Sequence, residues 1–368
     1  MRIGTVKEIK RFEYRVGLTP NNVKEYVANG HEVYVQSGAG AGSSFTSEEY
    51  VKAGATVLST AKEVWEVSDM IIKVKEPLPE EYPLLKENQI IYTYLHLAAS
   101  RELANALLAS KCKAIAYETI EDAKGGLPLL RPMSEIAGKL SVQAGARCLE
   151  KPMGGRGVLL GGAVGVKKAE CVIIGAGVVG TAAVKMAIGL GANVTLLDKS
   201  IDRLAYLDDV FGNQIQTLYS TPTTIEDALA KADLVIGAVL VPGAKAPKLI
   251  KKEHLKLMKP GAVIVDVAVD QGGCCETTTP TYHDAPTYVI DDIVHYCVAN
   301  MPGAVSQTST FALTNATLPY GLKIANLGLE EAVRNDPGLR LGINCYNGHI
   351  TCKEVAEAFN MEYTPFGC

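Results

Sequence analysis

Gly175-Ala176-Gly177-Val178-Val179-Gly180 lies between an apolar run, residues 171–174, and a stretch of helical spacing, residues 180–190. Three glycines at that spacing let a strand turn sharply into a helix. Gly175 permits the tight turn, Gly177 lets the backbone approach a pyrophosphate, and Gly180 lets helix and strand pack closely. The helix that Val178 and Val179 open offers unpaired N–H groups and a positive dipole end to phosphate. The following strand, expected at 193–197, runs into Asp198, and an acidic residue is expected about 20 residues past the glycines. A carboxylate there accepts hydrogen bonds from ribose hydroxyls and repels a 2′-phosphate, which favours NAD over NADP. Lys199 and Arg203, close by, temper that preference, since a basic residue could hold a phosphate; their ordinary reading is as solvated surface charges. A second cluster, Gly38-Ala39-Gly40-Ala41-Gly42, lacks an acidic partner at the right distance and reads as a loop.

The rest of the chain extends the same theme. Residues 2–6, 31–36, 55–58, 69–74, 89–95 and 114–118 are rich in Val, Ile and Tyr and are expected as strands. Between them, 21–28, 47–53, 60–67 and 101–110 have helical spacing, several opening on a Ser or Thr in a capping position. Such alternation argues for a parallel sheet covered by helices. A long helix is expected over 134–151, and a hairpin over the glycine-rich stretch 158–166. A second α/β unit then follows, with further strands at 214–218, 234–239, 262–267 and 288–290 and helices at 308–325 and 352–359. With 368 residues there is room for two domains. The tail has too few elements to stand alone, so it should pack on the first domain. The expected division is 1–130 plus 307–368 against 131–306. The fold class is α/β, with two doubly wound parallel-sheet domains and a cleft between them: a Rossmann domain, and a discontinuous flavodoxin-like or Rossmann-like one.

Composition narrows the function classes. A net charge of -4 leaves no basic footprint for nucleic acid or an anionic membrane surface. The charged start, Met1-Arg2-Ile3-Gly4-Thr5-Val6-Lys7-Glu8, lacks a signal peptide's apolar core. The longest apolar run, 171–184, is too short and glycine-rich to span a bilayer. Nine cysteines without a CxxC pair read as reduced thiols of a cytoplasmic protein. No cluster has metal-ligand spacing.

Ligands of open α/β sheets bind beyond the carboxyl ends of strands. Ionisable residues expected there are Lys75, after Met70-Ile71-Ile72-Lys73-Val74; His96, after Ile90-Ile91-Tyr92-Thr93-Tyr94-Leu95; and Asp270, after Val263-Ile264-Val265-Asp266-Val267-Ala268-Val269. Arg15 falls in the loop after the first strand. Each has an ordinary alternative: a solvated charge for Lys75 and Arg15, a turn residue for Asp270. His96 is a reasonable proton-transfer group near neutral pH. Asp266, in mid-strand, reads as structural. Position alone indicates a nicotinamide oxidoreductase of unspecified substrate.

Several motifs go further. Arg15-Val16-Gly17-Leu18-Thr19-Pro20, Ile72-Lys73-Val74-Lys75-Glu76-Pro77, Tyr94-Leu95-His96-Leu97-Ala98 and Arg131-Pro132-Met133-Ser134-Glu135 precede the glycine loop. Val267-Ala268-Val269-Asp270-Gln271-Gly272-Gly273, Asn300-Met301-Pro302-Gly303-Ala304-Val305 and Thr314-Asn315-Ala316-Thr317-Leu318-Pro319-Tyr320 follow it. In order and spacing, over essentially the whole chain, these motifs resemble the alanine dehydrogenases. The resemblance implies reversible NAD-dependent oxidative deamination of L-alanine to pyruvate and ammonium. It implies that Arg15 and Lys75 hold the substrate carboxylate, with Lys75 also near the carbonyl or amine. His96 would be the general acid/base, Asp270 its partner across the cleft, and Asn300 a neighbour of nicotinamide and substrate. Ser134, Asp198, Arg203, Ser220, Val239, Leu240, Val267 and Met301 would line the NAD site, and the assembly would be a cytoplasmic homohexamer. Two departures are local: Ser306-Gln307 replaces an expected Pro and basic residue, and Ala163-Val164 replaces Val-Pro. Two related classes stay open. One is the NAD(H)-binding subunit of a proton-translocating transhydrogenase; the other is an opine- or lysine-forming dehydrogenase.

Overall fold

The computed structural model describes residues 1–239 and 246–367. Its chain contacts divide it into two compact units, Met1–Met133 with Val305–Cys368, and Ser134–Ala304. The first six strands are β1 (Arg2–Thr5), β2 (Glu32–Gln36), β3 (Thr56–Leu58), β4 (Met70–Ile72), β5 (Ile90–Thr93) and β6 (Lys113–Ala116). The second unit adds β7 (Glu170–Ile174), β8 (Asn193–Asp198), β9 (Ile215–Tyr219), β10 (Leu234–Gly237), β11 (Val263–Asp266), β12 (Thr287–Ile290) and β13 (Ile293–Tyr296). Two last strands, β14 (Ile343–Tyr346) and β15 (His349–Ile350), come from the C-terminal segment.

In the first unit the order is β15-β14-β6-β5-β4-β1-β2-β3, and every pair from β6 to β3 is parallel. Chain order reverses between β1 and β4, which makes their carboxyl ends a topological switch point. Met70, Ile71 and Ile72 are at most 1% exposed, as expected of a strand covered on both faces. Val64, Trp65, Ile91, Leu95, Leu103 and Leu107 belong to the core on one side of this sheet. Thr46 and Thr60 cap the helices Ser47–Lys52 and Ala61–Val67, each in a box with the Glu three residues on.

The second unit is ordered β12-β13-β11-β10-β7-β8-β9. Its switch point lies between β7 and β10, beside the glycine loop. Helix Arg131–Cys148 ends the first unit and begins the second; within the second, a Cβ on Gly138 would stand 2.2 Å from the carbonyl oxygen of Val179. Small residues there let the two helix backbones meet.

Neither sheet is wholly parallel. β14 runs antiparallel to β6 and β15 to β14, and β12 runs antiparallel to β13. Both edge hairpins close through two residues of positive φ: Asn347 (49°) with Gly348 (88°), and Asp291 (48°) with Asp292 (61°). Two such residues twist a turn in the sense that strands need. The hairpin expected at 158–166 is absent; Ala163 and Val166 form an isolated antiparallel bridge within turns. Among the described residues no helix is long and apolar enough to cross a membrane.

Candidate active site

Arg15, Lys75 and His96 leave the carboxyl ends of β1, β4 and β5, three successive neighbours in the first sheet. The strands stop earlier than the sequence suggests, at Ile72 and Thr93, so Lys75 and His96 stand in loops three residues beyond them. Carboxylates that turn back onto the backbone hold these loops. Glu8 accepts from the N–H of Val74 (2.6 Å) and of Lys75 (3.3 Å). Glu118 accepts from the N–H of His96 (2.6 Å) and of Leu95 (3.1 Å).

The Arg15 guanidinium is 2% exposed and clasped side-on by Glu13, with Nε 2.7 Å from Oε1 and one terminal nitrogen 2.6 Å from Oε2. Its other terminal nitrogen lies 2.9 Å from the sulfur of Met133. Burial alone would raise the Glu13 carboxyl, but Arg15 overrides it and holds that group at about 2. Lys73 is not a site residue: it is fully buried, with Nζ 3.1 Å from Glu8 and 2.8 Å from Glu81. The Lys75 ammonium makes no hydrogen bond or ion pair among the described residues. Burial first, and the charge of Arg15 second, push it below the ordinary lysine range. His96 is a non-glycine residue in the left-handed region (φ 46°, ψ 38°), with its side chain half exposed. Its Nδ1 is 3.8 Å from Glu76, which also pairs with Lys10. Burial would raise the Glu76 carboxyl; these two basic neighbours hold it at about 2.

In the second unit the glycine loop has the expected form. Gly175 sits at φ 106°, and a Cβ on Gly180 would lie 1.8 Å from the carbonyl oxygen of Gly175. A Cβ on Gly177 would meet nothing within 4 Å, so its backbone faces open space, as approach by a pyrophosphate requires. Val178 and Val179 begin the helix Val178–Gly189. Asp198 ends β8; its two oxygens accept from the N–H of Ala176 (2.6 Å) and of Ser200 (2.8 Å). A carboxylate has lone pairs beyond these two, so ribose hydroxyls can still be accepted. Arg203 is not the solvated charge expected from its sequence surroundings. It reaches back to the glycine loop, donating to Ala176 O (2.8 Å) and Thr181 Oγ1 (2.9 Å).

The other cofactor candidates follow the same carboxyl ends. Ser220 comes after β9 and donates its N–H to Asp198 O at 2.9 Å. Val239 comes after β10 and would touch a Cβ on Gly175, while Leu240 lies outside the described residues. Val267 comes after β11 and donates its N–H to Gly237 O. Asp270 is exposed in the short helical turn Val269–Gln271, four residues past the strand end. Ser134 is on helix Arg131–Cys148, Asn300 stands at φ 61°, and the next residue, Met301, is 2% exposed. Asp266 ends β11 rather than lying inside it. It is fully buried and accepts from Thr278 Oγ1 at 2.6 Å, which is the structural role expected.

What the sequence did not single out are the carboxylates: Glu8, Glu13, Glu76 and Glu118. Each is an acid beside a strand end or a cationic motif, a position where an unpaired charge would be costly. Among the described residues no cluster could hold a metal ion, and the eight described cysteines are free and buried.

Both halves of the chain match family models. Residues 4–137 match "Alanine dehydrogenase/PNT, N-terminal domain" and residues 141–353 match "Alanine dehydrogenase/PNT, C-terminal domain". An alanine dehydrogenase of Methanococcus maripaludis is 57% identical over 99% of this chain and 98% of its own length. One from Bacillus subtilis is 55% identical over 99% and 96%. A solved L-alanine dehydrogenase superposes with a TM-score of 0.96 at 53% identity, covering 98% of this chain and 99% of that one. A transhydrogenase from Sinorhizobium meliloti shares the fold at TM-score 0.82 and 22% identity, covering 96% of this chain and 99% of its own. By sequence over its full length and by fold in both units, this chain belongs to the alanine dehydrogenase/PNT family.

Proposed function

We propose that this protein is an NAD-dependent L-alanine dehydrogenase, which interconverts L-alanine with pyruvate and ammonium. The observation that carries the reading is the grouping of Arg15, Lys75 and His96 on three adjacent strand ends at a switch point. These residues have the chemistry that an amino acid undergoing oxidation needs. Bound NAD would supply the acceptor for the hydride of Cα. The glycine loop and Asp198 fit its pyrophosphate and ribose, and the acid at 198 disfavours the 2′-phosphate of NADP.

The protein's part is to orient the substrate and manage protons. Arg15, gripped along one edge by Glu13, presents a fixed guanidinium suited to the substrate carboxylate. Lys75 adds a second cation, which favours negative charge on the carbonyl oxygen of pyruvate. His96 takes the proton that the substrate amine must lose and passes it to solvent, then takes one from the water that adds at Cα and returns it to the nitrogen that leaves as ammonia. We assign Asp270 and Asn300 to the same chemistry. Ser134, Arg203, Ser220, Val239, Leu240, Val267 and Met301 we assign to the NAD site.

L-alanine should reduce NAD, and pyruvate with ammonium should oxidise NADH, with D-alanine, L-lysine and NADP poor by comparison. His96→Ala should lose most turnover while still binding NADH; unchanged turnover would remove His96 from the chemistry. The same family reading carries a cytoplasmic homohexamer. Exposed apolar side chains such as Leu159 and Val166 are of the kind that assembly covers. Light scattering should give six times the 39.2 kDa of one chain.

A further inference from the structure

Arg15, Lys75 and His96 share a feature that their proposed roles do not use: a glutamate carboxylate holds the backbone N–H of each. Glu13 takes that of Arg15 at 3.1 Å, Glu8 that of Lys75 and Glu118 that of His96. Glu8 follows β1, which neighbours β4; Glu118 follows β6, which neighbours β5. Each thus reaches sideways from an adjacent strand to the loop beyond the next. For Glu8 and Glu13 the pairing of buried cations, Lys73 and Arg15, is reason enough for a carboxylate. Glu118 has no such reason. Among the described residues it forms no ion pair, and its oxygens accept from the N–H groups of Leu95 and His96.

These two donors sit where the backbone is strained. His96 holds φ 46° without being glycine, a conformation that persists only where its surroundings over-determine it. Two charge-assisted hydrogen bonds to successive N–H groups supply that determination. Were φ to relax to the negative region, Cβ would swing to the other side of the chain, taking the imidazole with it. We propose that Glu118 is a positioning residue for His96, fixing the backbone turn that aims the imidazole at the reacting amine. This rests on the acid/base role of His96 proposed above.

The test compares full-length Glu118→Ala, Glu118→Gln, His96→Ala and the double variant His96→Ala/Glu118→Ala. Steady-state oxidation of L-alanine gives kcat, and fluorescence titration gives NADH affinity. Misplacing a reacting group by about 1 Å can cost on the order of 100-fold. Glu118→Ala should therefore lower kcat by roughly 10- to 100-fold with NADH affinity unchanged. Glu118→Gln, which keeps an acceptor oxygen in place, should recover most of that loss. The double variant should be no slower than His96→Ala, since Glu118 acts through His96. Wild-type kcat in Glu118→Ala, a glutamine variant as slow as the alanine one, or a double variant well below His96→Ala would each overturn the proposal. If Glu118→Ala fails to fold, the glutamine variant decides: a kcat as low as that of His96→Ala overturns the role, and a near-normal one supports it. Normal turnover in His96→Ala would instead overturn the parent reading. A slow His96→Ala beside a normal Glu118→Ala would overturn this inference alone.

Discussion

Glu13 and Arg15 form the pair on which substrate recognition is proposed to depend, and they also give the fold a pH limit. The folded Glu13 carboxyl is held at about 2, against an ordinary value of 4.5. A carboxyl whose folded value is depressed contributes stability that is present above the unfolded value and lost as pH falls through the folded one. Glu76 is depressed to about 2 as well, so both contributions disappear over the window from about 4.5 down to about 2. For the fully buried Glu13 that loss is on the order of 3 kcal/mol. Thermal midpoints should drop steeply across this window in the wild type. In Glu13→Gln the protein should start less stable, with a buried guanidinium lacking its counter-charge, and decline less steeply. Equal slopes would show that the pair is not what titrates. Gly180 makes the companion case in the second unit. A Cβ would strike the carbonyl oxygen of Gly175, which is backbone and cannot step aside. Gly180→Ala should cost roughly 1–3 kcal/mol in urea unfolding and weaken NADH binding, because the phosphate-facing turn must shift. Arg15 and His96 were legible as lone charges at strand ends. Glu118, the partner of His96, was not, because no local spacing announces a contact made across strands; Glu13 lies only two residues from Arg15, but nothing in the sequence marks that pair as buried.

At the level of elements, the parallel interior of each sheet was readable from apolar runs flanked by helices, and the edges were not. Strands β14 and β15 carry too few residues to show a period, and β13 follows β12 after only Asp291 and Asp292, so a single short strand was read where a hairpin stands. The signals that do exist are local: Asn347-Gly348 and Asp291-Asp292, pairs tolerant of positive φ. Helices Ile201–Phe211 and Pro222–Lys231 went unassigned although Ser200 and Thr221 cap them. The ends of β4 and β5 were overrun by two residues each because Val74, Tyr94 and Leu95 are as apolar as the strands they follow. The edge hairpin yields a prediction of its own. Asn347→Val forces a β-branched side chain into the left-handed region, at about 1–2 kcal/mol. Since β14 and β15 sit at the sheet's far edge, away from β1, β4 and β5, unfolding midpoints should fall while kcat holds. A lost kcat with an unchanged midpoint would contradict that separation of edge from site.

At the scale of the whole molecule, the proposed chemistry draws its substrate-handling groups from one unit and its cofactor-handling groups from the other. The segment Val305–Cys368 returns to the first unit, where β14 pairs with β6 and the helix Ser306–Leu327 packs on Pro20–Ala28. Its packing partner was inferable only by elimination, since a tail short of elements must borrow a core. The switch point of the first sheet gathers the cations and imidazole; that of the second gathers the glycine loop and Asp198. The central claim is that hydrogen leaves Cα of L-alanine as hydride and arrives on the nicotinamide. The most direct measurement incubates the protein with NAD and L-alanine deuterated at Cα, then determines the mass of the reduced dinucleotide and of the keto acid. The account predicts pyruvate without the label and NADH carrying one deuterium. NADH that forms without deuterium, or no NADH at all from a protein that binds it, would contradict the account.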